Sequence, residues 1–115
     1  MAERPKLLNI DTEMQRWCAL LGQEISGWPD VSSKPMFGMT AFYHGPNIFA
    51  ALPKTKAPRT ARSLIFKLPG VSDVRLTPGG GPGPGSGWVT FELESSNDIN
   101  EALVWLERAY ETNSV

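Results

Sequence analysis

The residues whose types could do chemistry are few in this sequence and stand far apart. His44 is the only histidine and Cys18 the only cysteine, and they fall in different predicted elements. A zinc site draws on a set of such ligands, so the sequence predicts no metal site, and we also predict no cofactor and no catalytic residue. Cys18 lies on the apolar face of a predicted helix, where a free thiol behaves as a small hydrophobe. His44 is expected to be an exposed turn residue.

A second suggestive feature is the stretch PGGGPGPGSG at residues 78–87. A P-loop needs Gly-x-x-x-x-Gly-Lys-Ser/Thr opening a helix, because backbone amides and the helix N-terminus both face the phosphates. Here no lysine follows, and the next residues alternate as a strand. A Gly-x-Ser-x-Gly elbow also fails, since Pro84 stands where its first glycine would be. The composition therefore predicts a mobile loop rather than an anion cradle.

The basic loop at residues 53–63 is the third feature. Its four cations, with no acid among them, are Lys54, Lys56, Arg59 and Arg62, and Lys67 follows in the next apolar run. Cations spaced in this way could contact successive phosphates, with Trp88 as an aromatic contact. A basic loop also serves solubility, and Trp88 could equally be a half-buried packing residue. Both explanations stay open at this point.

The formal net charge of −1 hides a polarised chain. Residues 34–77 contain seven Lys or Arg and one Asp, a net charge of +6, whereas the rest of the chain carries −7. Segregated charge raises the local potential and can steer an anionic partner toward one side of a molecule.

Two amphipathic helices flank a region of two-residue alternation. Asp11 or Thr12 offers an N-cap, and apolar residues then recur at helical spacing to about Ser26, before Gly27 and Pro29. Near the other end, Ser95 and Asp98 resemble a capping box ahead of a second helix that includes Tyr110. The spacing predicts a helix over residues 12–26 and another beginning near Asp98.

The intervening strands are predicted from alternation and from short apolar runs. A hairpin is expected from Thr40 to Leu52, with its turn at residues 44–47. Further predicted strands cover residues 35–37, 64–68, 74–76 as a short edge strand, and 88–94. In the last, Val89, Phe91 and Leu93 are expected to face inward and Thr90 outward.

These elements predict one α+β domain over residues 1–115, with a loose arm at residues 1–10, an N-terminal helix, an antiparallel sheet of four to six strands and a C-terminal helix. The apolar stretch near the start of the chain is too short for a signal sequence. The sequence also contains no run of about 20 apolar residues, the length that a membrane-spanning helix requires. The single cysteine suits a reducing compartment, so a cytoplasmic protein with no membrane partner is expected.

Several segments resemble a group of small bacterial domains, the MmcQ/YjbR-like proteins, the N-terminal domain of TfoX-like regulators and a related domain labelled luciferase-family. The similar segments are KPMFGM at residues 34–39, IFA at 48–50, LIFKL at 64–68, GWVTF at 87–91 and LERAYE at 106–111. The resemblance implies an α+β fold with a curved antiparallel sheet and links to DNA binding or competence regulation. It brings no catalytic residues, and the loops at residues 53–63 and 78–87 depart from its usual pattern.

Three functional hypotheses follow. The first is a non-enzymatic binding or regulatory module that recognises an anionic partner, such as nucleic acid, through the basic loop and the sheet. The second is a small-ligand protein or enzyme with a pocket between sheet and helices, lined by Met36, Met39, Phe42 and Tyr43. The third is a homodimer formed by pairing of exposed sheet edges.

Overall fold

The computed structural model describes residues 8–79 and 87–114. In chain order the elements are β1 (Leu8–Asn9), α1 (Thr12–Ser26), β2 (Val31–Met36), β3 (Met39–His44), β4 (Asn47–Pro53), β5 (Lys56–Ala57), β6 (Ser63–Lys67), β7 (Leu76–Pro78), β8 (Trp88–Glu92) and α2 (Asp98–Thr112). The predicted α+β class is confirmed, with one helix before the sheet and one after it.

The main sheet has six strands in the order β2-β3-β4-β6-β8-β7, and each neighbouring pair is antiparallel. The predicted hairpin is its β3–β4 pair, in which a register shift lies between Phe42 and Tyr43. A separate two-stranded pairing joins β1 to β5, with Leu8 opposite Ala57. Strand β5 lies inside the predicted basic loop, so that loop contains regular structure.

Helix α1 begins and ends where its sequence predicts. The Met14 amide donates to the Asp11 carboxylate over 2.8 Å, which satisfies one of the amides that a helix start leaves without a partner. Its buried face is formed by Met14, Trp17, Cys18, Leu21 and Ile25. Burial of Cys18 on this face is therefore confirmed.

Only half of the predicted capping box of α2 is present. The Asp98 carboxylate accepts from the Glu94 amide at 2.9 Å and from the Ser95 amide at 3.4 Å, as the acidic member of a box does. The Ser95 hydroxyl accepts from Asn97 rather than from Asp98, because the first turn starts later than the spacing suggests.

The main core lies between one face of the sheet and both helices. Its largest fully buried members include Phe66 and Phe91 from the strands, Leu21 from α1 and Leu106 from α2. Burying a side chain of this size contributes roughly 1.5–3 kcal/mol relative to leaving it exposed. The helices are therefore held to the sheet chiefly by apolar contact.

The other face of the sheet, called the outer face below, carries a second and smaller apolar cluster. Its buried members are Met39, Ala51, Ile65 and Trp88, with Met36 and Ile48 packed at the margin. Neither helix contributes a residue to this cluster. The two faces of the sheet thus have different surroundings.

Thr90 departs from its expected position at the surface. It lies on the outer face, is 2% exposed, and its hydroxyl donates to the Gly79 carbonyl over 3.0 Å. Alternation of apolar and polar residues predicts one solvent-exposed face, whereas both faces of this sheet bury side chains. The predicted edge strand is also displaced, since β7 begins at Leu76 and Val74 is fully exposed.

His44 is not the exposed turn residue that its sequence position suggests. Its ring stacks on Tyr110 with centroids 3.9 Å apart, and its Nδ1 lies 2.8 Å from the Tyr110 carbonyl oxygen. A carbonyl can only accept, so Nδ1 carries the proton. Tyr110 in turn donates its hydroxyl to the Pro29 carbonyl over 2.7 Å. These contacts join the end of α2 to the β3–β4 hairpin.

The N-terminal arm and the glycine-rich loop are described only in part. Leu8 and Asn9 form β1, and Ile10 is buried in the main core, so these three residues are not loose. Residues 1–7 of the predicted arm, and residues 80–86 of the predicted mobile loop, lie outside the described residues. Within the described ranges, no helix has the length and apolarity needed to cross a membrane.

Candidate functional site

The cations of the basic loop do not converge on one point. Arg62 donates to Asp11 over 3.2 Å and to Glu13 over 3.1 Å, and its guanidinium lies 5.0 Å from the centre of the Trp17 ring. Its charge is therefore matched by two carboxylates at the start of α1. Arg62 stabilises the contact between loop and helix rather than facing outward.

Arg59 and Lys56 are held by neutral oxygens. The Arg59 guanidinium donates to the Pro78 carbonyl over 3.1 Å, and the Lys56 ammonium contacts the Asn9 side-chain oxygen. Within the described residues, neither of these positive charges is paired with a carboxylate. Lys54 is exposed at the end of β4.

Lys67 and Lys34 lie on the outer face. Lys67 is opposite Trp88 in the β6–β8 register, and Lys34 is opposite Ala41 in the β2–β3 register. The Lys34 ammonium lies 5.5 Å from the centre of the Tyr43 ring, within cation–π range. Trp88 is only 5% exposed, so its ring packs in the outer cluster and offers a partner little surface.

Arg75, the remaining cation of the basic segment, is paired with acids of α2. It donates to both Glu101 oxygens over 3.2 Å and to Asp98 over 3.1 Å. The hydrogen bond to Glu101 raises the pKa of Arg75 above its ordinary value. Arg62 and Arg75 thus join the basic segment of the chain to its acidic flanks.

Sequence reasoning missed Phe37, the most unusual side chain on this side of the molecule. Phe37 is 81% exposed at the tip of the β2–β3 hairpin and adopts φ +49°, a left-handed conformation that large side chains rarely take. A strained residue persists only where its surroundings fix it, and such residues concentrate at binding sites. Residues 35–37 were predicted as a strand, but β2 ends at Met36 and Phe37 lies in the turn that follows; the Phe-Gly pair was the only signal for this turn.

The surroundings that fix this tip are the residues after β4. The Gly38 carbonyl accepts from the amides of Lys54, Thr55 and Lys56 over 3.0, 2.8 and 3.1 Å. Gly38 itself has φ +79°, and a Cβ at this position would lie 2.6 Å from Lys56 Cγ. The turn that contains the exposed Phe37 is therefore held by hydrogen bonds from the backbone amides of Lys54 and Lys56.

A cleft of about 430 Å³ opens between α1 and the helix-facing side of β3 and β4. Helix α1 contributes Gln15, Cys18, Ala19 and Gly22, the strands contribute Thr40, Phe42, Leu52 and Pro53, and Lys54 and Thr55 follow β4. Burial raises the pKa of the Cys18 thiol to about 12, so this lining side chain is a neutral thiol at physiological pH. The thiolate needed for nucleophilic attack is therefore scarce.

The four residues predicted to line a pocket are divided between the two faces of the sheet. Phe42 lines the cleft beside α1. Met36 and Met39 pack in the outer cluster, and Tyr43 lies beside Lys34 on the outer face. The structure does not bring these four side chains together.

The chain matches no family model, no curated protein and no solved structure. The case for a function therefore rests on the geometry of the basic outer side and of the cleft.

Proposed function

We propose that this chain is a non-enzymatic binding module for an extended anionic partner, and that this partner is single-stranded nucleic acid. The observation that carries the proposal is the set of cations on one side of the molecule that have no acidic partner. Within residues 8–79 and 87–114, every ion pair involves Arg62 or Arg75. The cations of residues 34–77 that form none there are Lys34, Lys54, Lys56, Arg59 and Lys67, and the helices add Arg16 and Arg108.

Acidic residues are concentrated on the opposite side. The exposed positions of the two helices carry Glu13, Glu24, Glu107 and Glu111, whereas the strands carry one acid, Glu92 at the end of β8. A polyanion approaching this molecule meets a repulsive helix side and an attractive sheet side. Charge segregation of this kind favours one docking orientation.

The spacing of the cations suits a chain of phosphates better than a single anion. Ala51 is opposite Ile65 in the β4–β6 register, and the two strands are antiparallel. Lys54 therefore lies three positions from this pair in one direction along the sheet, and Lys67 lies two positions from it in the opposite direction. At roughly 3.3 Å per strand residue, Lys54 and Lys67 are about 16 Å apart along the strands. One phosphate cannot contact both.

Phe37 adds an aromatic ring for base stacking, a contact that a purely electrostatic surface does not provide. Its exposed ring is held next to the Lys54–Lys56 turn, and aromatic rings that project beside cations are platforms on which unpaired bases stack. Bases within a duplex are already stacked and are not offered to such a ring. The tip therefore favours a single strand over a duplex.

Pairing of sheet edges, the homodimer hypothesis, has less support. The edge strand β2 carries Lys34 and Pro35, and the edge strand β7 is three residues long and ends at Pro78. Lysine, proline and short length are the features by which edge strands avoid pairing with other chains. The resemblance to MmcQ/YjbR-like and TfoX-like domains, with its links to DNA binding, agrees with the nucleic-acid proposal.

Fluorescence anisotropy with a labelled single-stranded oligonucleotide tests the proposal. Binding should weaken as salt rises, with a log–log slope of up to about −3.5 if five phosphates are neutralised at about 0.7 each. Phe37→Ala should weaken binding by about 5- to 150-fold, the range of one lost base stack of roughly 1–3 kcal/mol. Lys67→Gln should reduce the slope by about 0.7.

Matched controls lie on the helix side. Arg16→Gln removes an exposed cation from α1, and Val104→Ala removes an exposed apolar side chain from α2. Both variants should bind as the unmodified protein does. Absence of binding at low salt, or equal losses in Arg16→Gln and Lys67→Gln, would overturn the proposal.

A further inference from the structure

We propose that the cleft between α1 and strands β3 and β4 binds a small organic acid with an apolar body and one carboxylate. This site lies on the helix-facing side of the sheet, whereas the nucleic-acid proposal concerns the outer face and the hairpin tip. The two proposals share Lys54 but otherwise rest on different residues. The cleft is tested with small acids rather than with an oligonucleotide, so the failure of one proposal is distinguishable from the failure of the other.

The interior of the cleft is apolar. Phe42 and Leu52 are buried strand residues that form part of its lining, and Cys18 and Ala19 face them from α1. A neutral thiol adds no charge to this lining. Such a surface favours a hydrocarbon or an aromatic ring over a sugar or a free phosphate.

Gly22 keeps the cleft open. Glycine in a helix interior is destabilising relative to alanine, so its presence in the middle of α1 has a cost that local structure does not explain. A Cβ at this position would lie 3.4 Å from Phe42 Cζ, which is ordinary van der Waals contact with the ring. Any larger side chain at Gly22 would enter the space that the cleft occupies.

Lys54 determines the charge of the ligand. Among the ten described residues that line the cleft, Lys54 is the only charged one, and Gln15, Thr40 and Thr55 add neutral hydrogen-bonding groups. The three amides given to the Gly38 carbonyl fix the backbone of Lys54 before any ligand arrives. A lysine in the lining of an apolar cleft, with no acid among the described lining residues, selects for a carboxylate.

The volume limits the size of the ligand. At about 30 Å³ for each water-sized group, 430 Å³ holds roughly fourteen such groups. Aryl-acetic acids and medium-chain fatty acids are of this size, whereas a nucleotide or a phospholipid is larger. We therefore expect reversible binding of a monocarboxylic acid of about ten to fourteen non-hydrogen atoms.

Thermal unfolding of the full chain, with paired probes, tests this inference. The probes are phenylacetate and octanoate, each compared with its neutral primary amide. The acids should raise the unfolding temperature in a saturable manner, because a ligand that binds only the folded state stabilises it. The amides should bind at least about tenfold more weakly, as expected for loss of a charge-assisted hydrogen bond.

Cys18 gives a readout inside the cleft. It is the only cysteine of the chain and one of the lining residues, so the NMR signal of a 13C label at its Cβ reports on occupancy of this space without requiring the thiolate. Each acid should shift this signal over the same concentration range in which it raises the unfolding temperature. Stabilisation without a shift at Cys18 would place the ligand elsewhere and overturn the proposal.

Two variants separate charge from shape. Lys54→Met keeps the length of the side chain but removes its charge, and it should weaken acid binding by about tenfold or more while leaving amide binding unchanged. Ala19→Leu is compatible with a helix and fills part of the cleft, so it should weaken both classes of probe. Lys34→Met, on the outer face, is the control and should bind as the unmodified protein does. Equal acid binding by Lys54→Met and Lys34→Met would overturn the proposal.

Discussion

Substitution of Gly38 by alanine tests the account of the hairpin tip most directly. Two separate costs are expected at this position. The backbone cost arises because Gly38 has φ +79°, and a left-handed conformation costs a residue with a Cβ roughly 1–2 kcal/mol. The steric cost arises because the new Cβ would lie 2.6 Å from Lys56 Cγ and 2.9 Å from Lys56 Cβ.

The steric cost is not relieved by rotation of a flexible chain end, because both contacts are made with the stem of Lys56. Forcing an extra methyl group into packed surroundings costs typically about 1–3 kcal/mol. The free energy of unfolding of Gly38→Ala should therefore fall by about 2–5 kcal/mol. At about 4 °C per kcal/mol, the unfolding temperature should fall by roughly 8–20 °C.

The chain provides a matched control in Gly70. Its φ of +77° is nearly the same, but a Cβ there would meet nothing within 4 Å. Gly70→Ala should therefore show the backbone cost alone, about 1–2 kcal/mol in urea unfolding. In a Lys56→Ala background, the cost of Gly38→Ala should fall part of the way toward that of Gly70→Ala, because the contact at 2.6 Å with Cγ is removed while the contact at 2.9 Å with Cβ remains.

If Gly38→Ala and Gly70→Ala destabilise the protein equally, the close approach of the hairpin tip to the residues after β4 is refuted. The basis for a rigidly held Phe37 would then be lost. A larger cost at Gly38 that persists unchanged in the Lys56→Ala background would contradict a contribution from the Lys56 Cγ contact but not the close approach itself.

Three further predictions concern single side chains. Arg62→Ala should reduce stability by only about 0.5–1 kcal/mol, because its ion pairs are exposed, and this loss should shrink in high salt during urea unfolding. The pKa of the Cys18 thiol is about 9 in the unfolded chain and about 12 in the folded protein, so the unfolded state releases its proton first. Stability should therefore fall from pH 9 toward pH 12, by up to about 1.4 kcal/mol per pH unit. Cys18→Ala should lack this pH-dependent component when unfolding curves are compared across pH. His44→Phe keeps the stack on Tyr110 but loses the hydrogen bond to its carbonyl, so a loss of about 1 kcal/mol is expected in the same assay, and no loss would show that the bond is unimportant.

The elements set by local pattern were the predictable part of the fold. Helix α1 was predicted residue for residue because its Asp11 cap, its apolar period and its Gly27 stop signal are all local features of one continuous segment, residues 11–27. Strand positions were predicted less closely, and β7 was displaced by two residues because glycine and proline surround it. Local signals fix which elements exist but not how much of each face is buried, as Thr90 shows.

The site residues were predicted less well, for a physical reason. Side chains alternate along a strand, so Phe42 and Tyr43 must lie on opposite faces and cannot line one pocket. Among the basic residues, only the structure shows that Arg62 is matched by acids from α1, which lie about fifty positions away in the sequence. Composition gives the sign of a charge, whereas its availability depends on long-range contacts.

The short pairing of β1 with β5 has a consequence for the order of folding. It joins Asn9 to Lys56, 47 residues apart, whereas the β2–β3 and β3–β4 hairpins join neighbours in the chain. Closing a long segment costs chain entropy before its few contacts form, so we expect this pairing to form after the hairpins. Amide hydrogens of the β1–β5 pairing should exchange with solvent well before those of β4. The β1–β5 pairing, rather than the anchored turn at Lys54–Lys56, is then expected to become ordered after the hairpins when the chain folds and to open before them.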